Sequence, residues 1–555
     1  MNDQVIILSD VRIPMRDGVG LSAEVYLPPE ENGVYPAILI RSPYGNDKSE
    51  YDRLRLQAYV DAGFAVVYQM VRGRGKSGGE FSFFFAEGQD GYDTIEWIAA
   101  QPWCNGRVGM DGGSYLGTAQ YLAARMRPPH LVCILPSVPA GDFFNEIPYI
   151  GGGLQLDWAV TWNVALDGID VEDREEEIYR LMKTVRPLKA LGKRIGITGK
   201  LFYDVLDRDV FIDRLKDLYF TSAHFKAIES LPVMTVTSWF DGDQAGSLFY
   251  WDGIEKNFAD KRNAFLIIGP WDHAGCYLGG EPKKGLLEFG ETARLDTLAE
   301  RIVFFESYLK QTDGGLSHVP RVRLFVTGIN QWRDFDQYPP ASTITPYYLH
   351  SGGNANTSQE DGRLSTVTPA DEAVDTFCYD PNNPVDYQQY GEDVSTVELR
   401  PDILVFTTDP LKAPVEIIGK IHMILHAASD ALDTDFVVRI IDVFPDGRPV
   451  NLSHGRGVIR ARYRNSFETA ELLKPGRVET YRIRLNDLGH VFQKGHCIRL
   501  EVTSSLFPLI DPNPNTGGEL ATETKTKVAH QSVYHDQCRP SHLLLPVMLN
   551  SNHDS

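Results

Sequence analysis

Several features that mark particular classes of protein are missing from this chain of 555 residues. Its six cysteines are scattered and form no C-x-x-C pair, which predicts reduced thiols rather than a disulfide framework or a zinc site. No H-E-x-x-H motif or other tight cluster of metal-ligand residues occurs, so we expect no catalytic metal. Nothing else in the sequence calls for a cofactor, and we expect none.

Long apolar runs are also absent, and none approaches the length of a membrane span. Residues 1–4 lack the basic region and the apolar core of a signal peptide, which predicts a cytoplasmic location. A formal net charge of −21 argues against nucleic acid and against an anionic membrane as partners. Internal repeats and low-complexity tracts are absent as well, and the oligomeric state is left open, with a homodimer as one possibility.

The order of apolar segments predicts an α/β fold with added domains, since the chain is too long for one core. Strands alternate with helices in residues 1–140, which is typical of a parallel α/β sheet, and the alternation returns in 229–344. The intervening segment 141–228 is expected to be an inserted helical cap over the site. In 345–555, short alternating segments predict a β-sandwich or jelly roll.

A serine lies where a strand turns sharply into a helix. Residues 108–110 form a short apolar strand, a helix-compatible run begins near 118, and Ser114 lies between them beside glycines. Such a turn exposes the hydroxyl next to a helix N-terminus, where a backbone N–H can stabilise an oxyanion. The general elbow pattern G-x-S-x-G is met only in part, because Leu116 holds the last position. The alternative is a Gly-rich turn whose serine caps the helix.

Two later strands deliver the other groups that a serine nucleophile needs. One strand is followed by Asp241 and Asp243, and the next is followed by His273. Reacting groups of such sheets lie beyond the carboxyl ends of the strands, and the order serine, acid, histidine is that of α/β hydrolases. We interpret Ser114 as the nucleophile, His273 as its base and Asp241 as the acid that orients the base. Asp243 is the alternative acid, whereas Asp272 would need its own loop to fold back.

A second glycine-rich stretch, 73–78, fits G-x-G-x-x-G and ends like a P-loop. However, Met70 stands where a P-loop needs glycine, and 79–85 predicts a loop or strand rather than the helix of a dinucleotide site. We therefore interpret this stretch as a surface loop and not as a nucleotide site. Its cations are expected to be solvated: Arg72, Arg74 and Lys76.

Motifs along nearly the whole chain resemble the cocaine esterase (CocE/NonD) and glutaryl-acylase group of serine hydrolases, which is related to X-Pro dipeptidyl-peptidases and α-amino-acid ester hydrolases. The matching stretches are 15–18, 41–44, 112–117, 239–242 and 269–273 in the α/β part, with 433–436, 442–447 and 513–518 in the β part. The elbow of this group reads G-x-S-Y-x-G, which removes the misfit at Leu116.

The resemblance implies a covalent acyl-serine mechanism without a cofactor, acting on a small-molecule ester or amide bound under the cap. It implies Ser114, Asp241 and His273 as the triad. The oxyanion hole of this group combines the backbone N–H after the serine with a tyrosine hydroxyl, which here implies Tyr115 and Tyr44.

The chain departs from the group at two positions. An aspartate that is frequent near Met70 is missing, and Asp243 replaces an aromatic residue that lines the acyl pocket. The α-amino-acid ester hydrolases carry an acid at that offset, within a carboxylate cluster that holds a substrate ammonium. Asp142 and Glu146 are our candidates for the rest of such a cluster. The hypothesis is a preference for positively charged acyl groups, and the alternative is a surface aspartate.

Aromatic residues of the expected cap have two interpretations, because they either line the substrate pocket or pack the cap onto the sheet domain. They are Tyr149, Trp158 and Trp162.

Three functions are compatible with the sequence. The leading one is a serine hydrolase of small acyl esters, and amides are a possible extension. An alternative is an α-amino-acid ester hydrolase, a β-lactam acylase or an X-Pro-type dipeptidyl aminopeptidase, all of which would require a free amine in the substrate. A further alternative is a binding protein on an inactive hydrolase scaffold, against which the intact serine, acid and histidine argue.

Overall fold

The structure is a computed structural model that describes residues 5–30, 32–45, 48–312, 315–356 and 361–549. Residues 1–4, on which the argument about a signal peptide rests, lie outside the described residues. Within these segments, no helix has both the length and the apolar character required to cross a bilayer.

The first half of the described chain builds a sheet of ten strands and two small hairpins. In chain order the strands are β1 (Ile6–Pro14), β2 (Gly20–Leu27), β3 (Tyr35–Ser42), β4 (Ala65–Met70), β5 (Cys104–Gly113), β6 (Leu131–Ser137), β7 (Tyr149–Ile150), β8 (Gly153–Leu154), β9 (Val233–Ser238), β10 (Ala264–Gly269), β11 (Lys283–Lys284), β12 (Leu287–Glu288), β13 (Val322–Val326) and β14 (Gln331–Phe335). The hairpins are β7–β8 and β11–β12. The sheet order is β1-β2-β4-β3-β5-β6-β9-β10-β13-β14.

The central strands of this sheet, from β4 across to β13, run parallel to one another. Every residue of β3, β4, β9 and β10 is buried, as expected for strands covered on both faces. Because β3, β5, β9 and β10 are parallel members of one sheet, their carboxyl ends lie along the same edge. The residues that follow these ends belong to the expected site.

Helices cover this sheet and fill the inserted segment. In chain order they are α1 (Glu50–Asp61), α2 (Glu87–Ala99), α3 (Tyr115–Ala124), α4 (Leu156–Asp167), α5 (Glu175–Thr184), α6 (Lys189–Ile195), α7 (Lys200–Leu206), α8 (Arg208–Leu215), α9 (Ser222–Ala227), α10 (Gln244–Asn257), α11 (Gly275–Leu278) and α12 (Thr297–Leu309). Helices α4 to α9 fall between β6 and β9, the part of the chain in which the cap was expected.

The remaining strands form a second, mostly antiparallel sheet of fifteen strands. They are β15 (Ser342–His350), β16 (Arg363–Ser365), β17 (Asp375–Tyr379), β18 (Leu404–Thr407), β19 (Val415–Gly419), β20 (His422–Ser429), β21 (Asp435–Val443), β22 (Pro449–Asn451), β23 (Val458–Arg460), β24 (Glu479–Arg484), β25 (Leu488–Phe492), β26 (Cys497–Thr503), β27 (Ala529–Asp536), β28 (Arg539–Pro540) and β29 (His542–Met548). This architecture agrees with the fold class expected from the sequence, an α/β-hydrolase domain followed by an all-β domain. The division at residues 140, 228 and 344 stays a prediction.

The glycine-rich loop at 73–78 differs from the sequence prediction in its cations. Arg72 is half-buried and forms ion pairs with Asp90 at 2.6 Å and with Asp17 at 2.8 Å. Arg74 is half-buried too and donates from Nε to a backbone carbonyl of the loop after β3 at 2.7 Å. The prediction that both are solvated is therefore wrong, because α2 and the β1–β2 turn supply carboxylates to Arg72 and the loop after β3 supplies a carbonyl to Arg74. Lys76 is exposed, as expected.

Candidate active site

The turn between β5 and α3 holds Ser114 in a backbone conformation that L-residues seldom adopt, with φ +56° and ψ −125°. There is no room for a side chain at the preceding glycine, since a Cβ on Gly113 would lie 1.9 Å from a ring carbon of Tyr277. The Ser114 N–H donates to the carbonyl of Ser137 at 2.9 Å, which fixes the turn against β6. The Ser114 side chain makes no capping hydrogen bond to α3. The geometry therefore favours an exposed nucleophile over a helix cap.

A buried ionic network supports this turn from below. Asp111, three residues before the serine, accepts from Arg55 Nη1 at 3.0 Å and from the Tyr59 hydroxyl at 2.9 Å. Its other carboxylate oxygen accepts from Arg301, and Arg301 also donates to the Ser137 side chain at 2.6 Å. Because the two arginines and the aspartate are all buried, the network fixes the strand end that carries the serine.

The ends of β9 and β10 bring the expected acid and base together. His273 Nδ1 lies 2.6 Å from Asp241 Oδ2, and the other carboxylate oxygen of Asp241 accepts from the backbone N–H of Asp243 at 2.6 Å. Asp241 is fully buried, whereas the side chain of His273 is 45% exposed. A buried carboxylate bonded to Nδ1 fixes the imidazole with its proton on that nitrogen, which leaves Nε2 as the hydrogen-bond acceptor.

The charge of the histidine depends on three surrounding carboxylates. Burial disfavours the imidazolium, but the charge and hydrogen bond of Asp241, with the charges of Asp243 and Asp272, raise the pKa of His273 to about 9. Asp272 does not hold the ring itself, because its side chain accepts from the Gly275 N–H at 2.9 Å and pairs with Lys284 at 2.9 Å. Asp241 is thus the acid in contact with the histidine.

Tyr44 and Tyr115 lie beside the serine in different ways. The indole Nε1 of Trp162 donates to the Tyr44 hydroxyl oxygen at 3.3 Å, so the phenol proton is free to point elsewhere. Burial, together with the charge of Asp243, raises the pKa of Tyr44, although hydrogen bonds with Trp162 and Ser114 oppose that rise. The phenol therefore stays a neutral donor next to Ser114. Tyr115 is the first residue of α3, so no carbonyl within the helix can accept from its backbone N–H.

Asp243 is not a surface residue, and that alternative from the sequence is wrong. Its exposed fraction is 8%, because the residue caps the start of α10 beneath the cleft. Among the hydrogen bonds of the described residues, none involves its carboxylate oxygens. Burial, reinforced by the charge of Asp241 and opposed by His273, raises the pKa of Asp243 to about 7. An unpartnered carboxylate is thus available to a ligand.

The two other acids of the hypothetical cluster are already engaged. Glu146 is buried and its carboxylate accepts from three backbone N–H groups at 2.8–3.0 Å, those of Gly141, Asp142 and Gly246. Asp142 forms an ion pair with Arg456 of the β domain at 3.2 Å. Of the three acids, only Asp243 keeps its carboxylate free of a protein donor among the described contacts.

The aromatic residues of the inserted segment separate into two groups. Tyr149 is fully buried, and its hydroxyl donates to the carbonyl of Val205 at 2.7 Å, so its contacts are those of a packing residue. Trp158 and Trp162 are half-buried and stack on each other with ring centroids 5.1 Å apart. Trp162 also stacks on Tyr115 at 6.2 Å, which brings the tryptophan pair next to the serine turn.

Two residues near the Asp241–His273 pair were missed from the sequence. The Tyr277 hydroxyl lies 3.0 Å from His273 Nε2, and its position four residues after the histidine was a signal that could have been read. The other is His454 of the β domain, which lies beside the loop after Asp241: a Cβ on Gly242 would be 3.9 Å from its Nε2. Its Nδ1 is hydrogen-bonded to the Tyr387 hydroxyl at 2.9 Å. No sequence pattern links a residue of the second sheet to this loop.

Asp241, Asp243 and His273 also meet the spacing of a metal site, since each offers one ligand atom within 4.8 Å of the others. Two of these three atoms already bond to each other at 2.6 Å, which accounts for the spacing without a metal. We therefore assign no metal role to these residues.

Comparison with known proteins gives consistent matches over most of the chain. The family model of the X-Pro dipeptidyl-peptidase (S15 family) matches residues 17–275, and that of the X-Pro dipeptidyl-peptidase C-terminal non-catalytic domain matches 315–544. Cocaine esterase of Rhodococcus sp. (strain MB1 Bresler) is 33% identical over 98% of both chains. Among solved structures, an aminopeptidase from the marine sediment archaeon Thaumarchaeota archaeon has 27% identity and a TM-score of 0.82, with 98% of this chain and 97% of the other covered. An α-amino acid ester hydrolase has 26% identity and a TM-score of 0.80 at the same coverage.

Proposed function

The chain belongs to the cocaine esterase (CocE/NonD) family of serine hydrolases, and on this premise we propose that it cleaves esters of small acyl groups through an acyl-enzyme at Ser114. The family membership makes the chain a serine ester hydrolase. The roles of individual residues are our proposal and rest on the geometry of the site.

In the acylation step, Ser114 Oγ attacks the ester carbonyl while its proton passes to His273 Nε2. Asp241 holds the ring by its 2.6 Å hydrogen bond and stabilises the imidazolium that forms. The negative charge on the former carbonyl oxygen accepts from the Tyr115 backbone N–H and the Tyr44 hydroxyl. The bond to the leaving oxygen then breaks, and the imidazolium returns its proton to the departing alcohol.

In the deacylation step, a water molecule replaces the alcohol and repeats the sequence in the other direction. His273 Nε2 takes a proton from the water, whose oxygen attacks the acyl carbon. Collapse of the second tetrahedral species returns the proton to Ser114 Oγ and releases the carboxylic acid. No metal, cofactor or external co-reactant other than water is needed for this balance.

One observation carries the proposal: the Asp241–His273 pair lies at neighbouring strand ends of the sheet whose β5–α3 turn holds Ser114 at φ +56°. The test is stopped-flow hydrolysis of p-nitrophenyl acetate and p-nitrophenyl butyrate, with the wild type beside Ser114→Ala. We expect a stoichiometric burst of nitrophenol that the variant lacks. A folded wild type without any turnover, or a variant that keeps the burst, contradicts the proposal and favours a binding protein on a hydrolase scaffold.

A second candidate is an acyl group that carries an ammonium, as in esters of α-amino acids. The observation that favours it is Asp243, a residue only 8% exposed whose carboxylate lacks a hydrogen-bond partner among the described residues. An ammonium at that position would supply the donor that the protein does not. Two solved relatives are named an α-amino acid ester hydrolase and an aminopeptidase, which fits this candidate. Peptide and β-lactam substrates with a free amine belong to the same class.

The measurement for this candidate is the ratio of kcat/KM for an α-amino-acyl ester to kcat/KM for the matching plain acyl ester. We expect Asp243→Asn to lower this ratio at least tenfold, because the buried charge that pairs with the ammonium is lost. Asp260→Asn makes the same change of charge at an exposed site paired with Arg262 and should leave the ratio unchanged. An equal ratio in wild type and Asp243→Asn would remove ammonium recognition and leave plain esters.

The partners and the compartment form the rest of the proposal. We propose a small-molecule ester as the only partner needed for activity, no nucleic acid, a cytoplasmic location and a homodimer as the state to be tested. Light scattering coupled to gel filtration decides the oligomeric state, and fractionation of the source cells decides the compartment.

A further inference from the structure

The base of the triad is hydrogen-bonded to a residue other than the serine. Tyr277 Oη lies 3.0 Å from His273 Nε2, and the two rings are nearly perpendicular, with centroids 5.5 Å apart. In the neutral ring, the form that can act as a base, Asp241 holds the proton on Nδ1 and Nε2 is the acceptor, so in that form the phenol is the donor. Over the part of the chain that the structure describes, no hydrogen bond joins Ser114 Oγ to this nitrogen.

An imidazole nitrogen has one in-plane lone pair and accepts one strong hydrogen bond. Ser114 must donate to the same lone pair before it can lose its proton to His273. In the present arrangement the geometry gives this lone pair to Tyr277, at 3.0 Å. The phenol of Tyr277 and the hydroxyl of Ser114 are thus competing donors for one atom.

The packing around Tyr277 keeps its ring in this place. A Cβ on Gly113 would lie 1.9 Å from the Tyr277 ring, so the ring is in direct contact with the backbone of the serine turn. The ring of Tyr51 lies on another side, with centroids 6.3 Å apart, and the Tyr277 carbonyl accepts from the Thr297 hydroxyl at 2.7 Å. A ring held by these contacts presents its hydroxyl to Nε2 in the free enzyme.

We propose that Tyr277 is a positioning residue that occupies His273 Nε2 in the resting enzyme and gives up this atom to Ser114 when an acyl group enters the cleft. The inference rests on the function proposed above, because it assumes His273 as the base. The phenol keeps its proton throughout: its O–H turns away from Nε2, the serine O–H takes its place, and the serine proton transfers as the Oγ–carbon bond forms. The exchange makes acylation of the free enzyme slower than the triad alone would allow.

Tyr277→Phe is the test variant, since it removes the hydroxyl and keeps the ring contacts. The readouts are the rate constant of the nitrophenol burst and the pH dependence of kcat/KM. We expect a burst of wild-type amplitude per folded protein with a rate constant raised roughly three- to tenfold, the size of one net hydrogen bond. We also expect the acid limb of kcat/KM to move to higher pH, because a donor to the neutral imidazole opposes its protonation.

A shift of the acid limb of kcat/KM in Tyr277→Phe is caused by loss of the phenol hydroxyl, because the variant keeps the other titratable groups that face His273. These are Asp241, Asp243 and Asp272, together with His454 of the β domain. Tyr51→Phe is the matched control, since it also removes a phenol hydroxyl beside Tyr277, one that is buried without a hydrogen-bond partner among the described residues. That control should change neither readout.

Outcomes for this inference are distinct from those for the function. A folded wild type that turns over no activated ester refutes the proposed function, whatever Tyr277 does. Turnover without a burst means that acylation is limiting, and kcat then replaces the burst rate constant as the readout. With a wild-type burst present, an unchanged burst rate and acid limb in Tyr277→Phe would overturn the competition. A slower burst at full amplitude would overturn it too, because it would mean that the phenol assists acylation. A loss of folding lowers the amplitude and not the rate constant per active site, so the test survives partial destabilisation.

Discussion

At the scale of single residues, the electrostatics of the site centre on the carboxylate of Asp243. It lies near the Asp241–His273 pair, and its negative charge adds to that of Asp241 in favouring the imidazolium. A base must be neutral to accept the serine proton. A His273 pKa of about 9 therefore predicts that activity increases with pH and is highest on the alkaline side of neutrality.

Asp243→Asn is expected to move the acid limb of kcat/KM to lower pH. Removing a nearby negative charge destabilises the imidazolium, so the pKa of His273 falls and the neutral base is present at lower pH. The measurement is kcat/KM against pH for a plain acyl ester, in which no ammonium is involved. A limb that stays in place or moves upward would show that Asp243 does not act on His273.

Tyr44→Phe is expected to lower kcat roughly a hundredfold to a thousandfold with a small change in KM, as for the loss of one oxyanion donor. Trp162→Phe keeps the phenol but removes the indole N–H that bonds to it at 3.3 Å, together with part of the ring, so its effect should be smaller. Steady-state kinetics of both variants checks the order of the two effects. Equal activity of Tyr44→Phe and wild type would leave the backbone N–H of Tyr115 as the main donor.

The sequence could predict some residues of the site and not others, for a physical reason. Ser114, Asp241 and His273 each follow a strand end, and the parallel sheet alone brings such residues to one edge. The burial of Asp243 and the engagement of Glu146 depend on how α10 packs under the inserted segment, which no local pattern encodes. The Tyr277 hydroxyl reaches His273 Nε2 only because α11 is a single turn and the Tyr277 ring packs against Gly113.

At the scale of elements, the serine turn depends on the ionic network beneath it. Asp111→Ala would leave Arg301 as a buried cation without its carboxylate and Arg55 with Asp52 alone. Loss of one member of a buried ionic network typically costs about 3–5 kcal/mol, so we expect a decrease of that order in the free energy of unfolding. Urea unfolding measures it. Asp213→Ala breaks an exposed ion pair with Lys216 and should have little effect.

The elements themselves were predictable to different degrees. Strands buried on both faces, such as β3, β4 and β10, are continuous apolar runs that the sequence shows directly. The short helices of the inserted segment, from α6 to α9, span six to eight residues each and are held by tertiary contacts more than by their own periodicity. Their number and bounds were therefore beyond the sequence.

At the scale of the whole molecule, the β domain takes part in holding the loop that carries Asp241. The side-chain amide of Gln244 donates to the Asp487 carbonyl at 3.0 Å, and its oxygen accepts from the Asp487 N–H at 2.9 Å. Next to Asp241, the ring of Phe240 stacks on Tyr390 with centroids 4.1 Å apart. Loops of the β domain thus support the residues around Asp241.

Gln244→Leu is expected to lower both stability and kcat. It leaves the buried N–H and carbonyl of Asp487 without partners, at a typical cost of about 1–3 kcal/mol each. Because Gln244 follows Asp241 at the start of α10, loss of these bonds also loosens the acid that holds His273. Urea unfolding and steady-state kinetics measure the two effects. A variant with lower stability and full kcat would separate the domain contact from catalysis.

The central claim, an acyl-enzyme at Ser114, is tested most directly by trapping the intermediate. The enzyme is mixed with p-nitrophenyl butyrate, quenched in acid during the burst, digested and analysed by mass spectrometry. We expect one butyryl group on the peptide that contains Ser114, and no adduct in Ser114→Ala. An adduct on another residue, or none while nitrophenol is released in a burst, would contradict it.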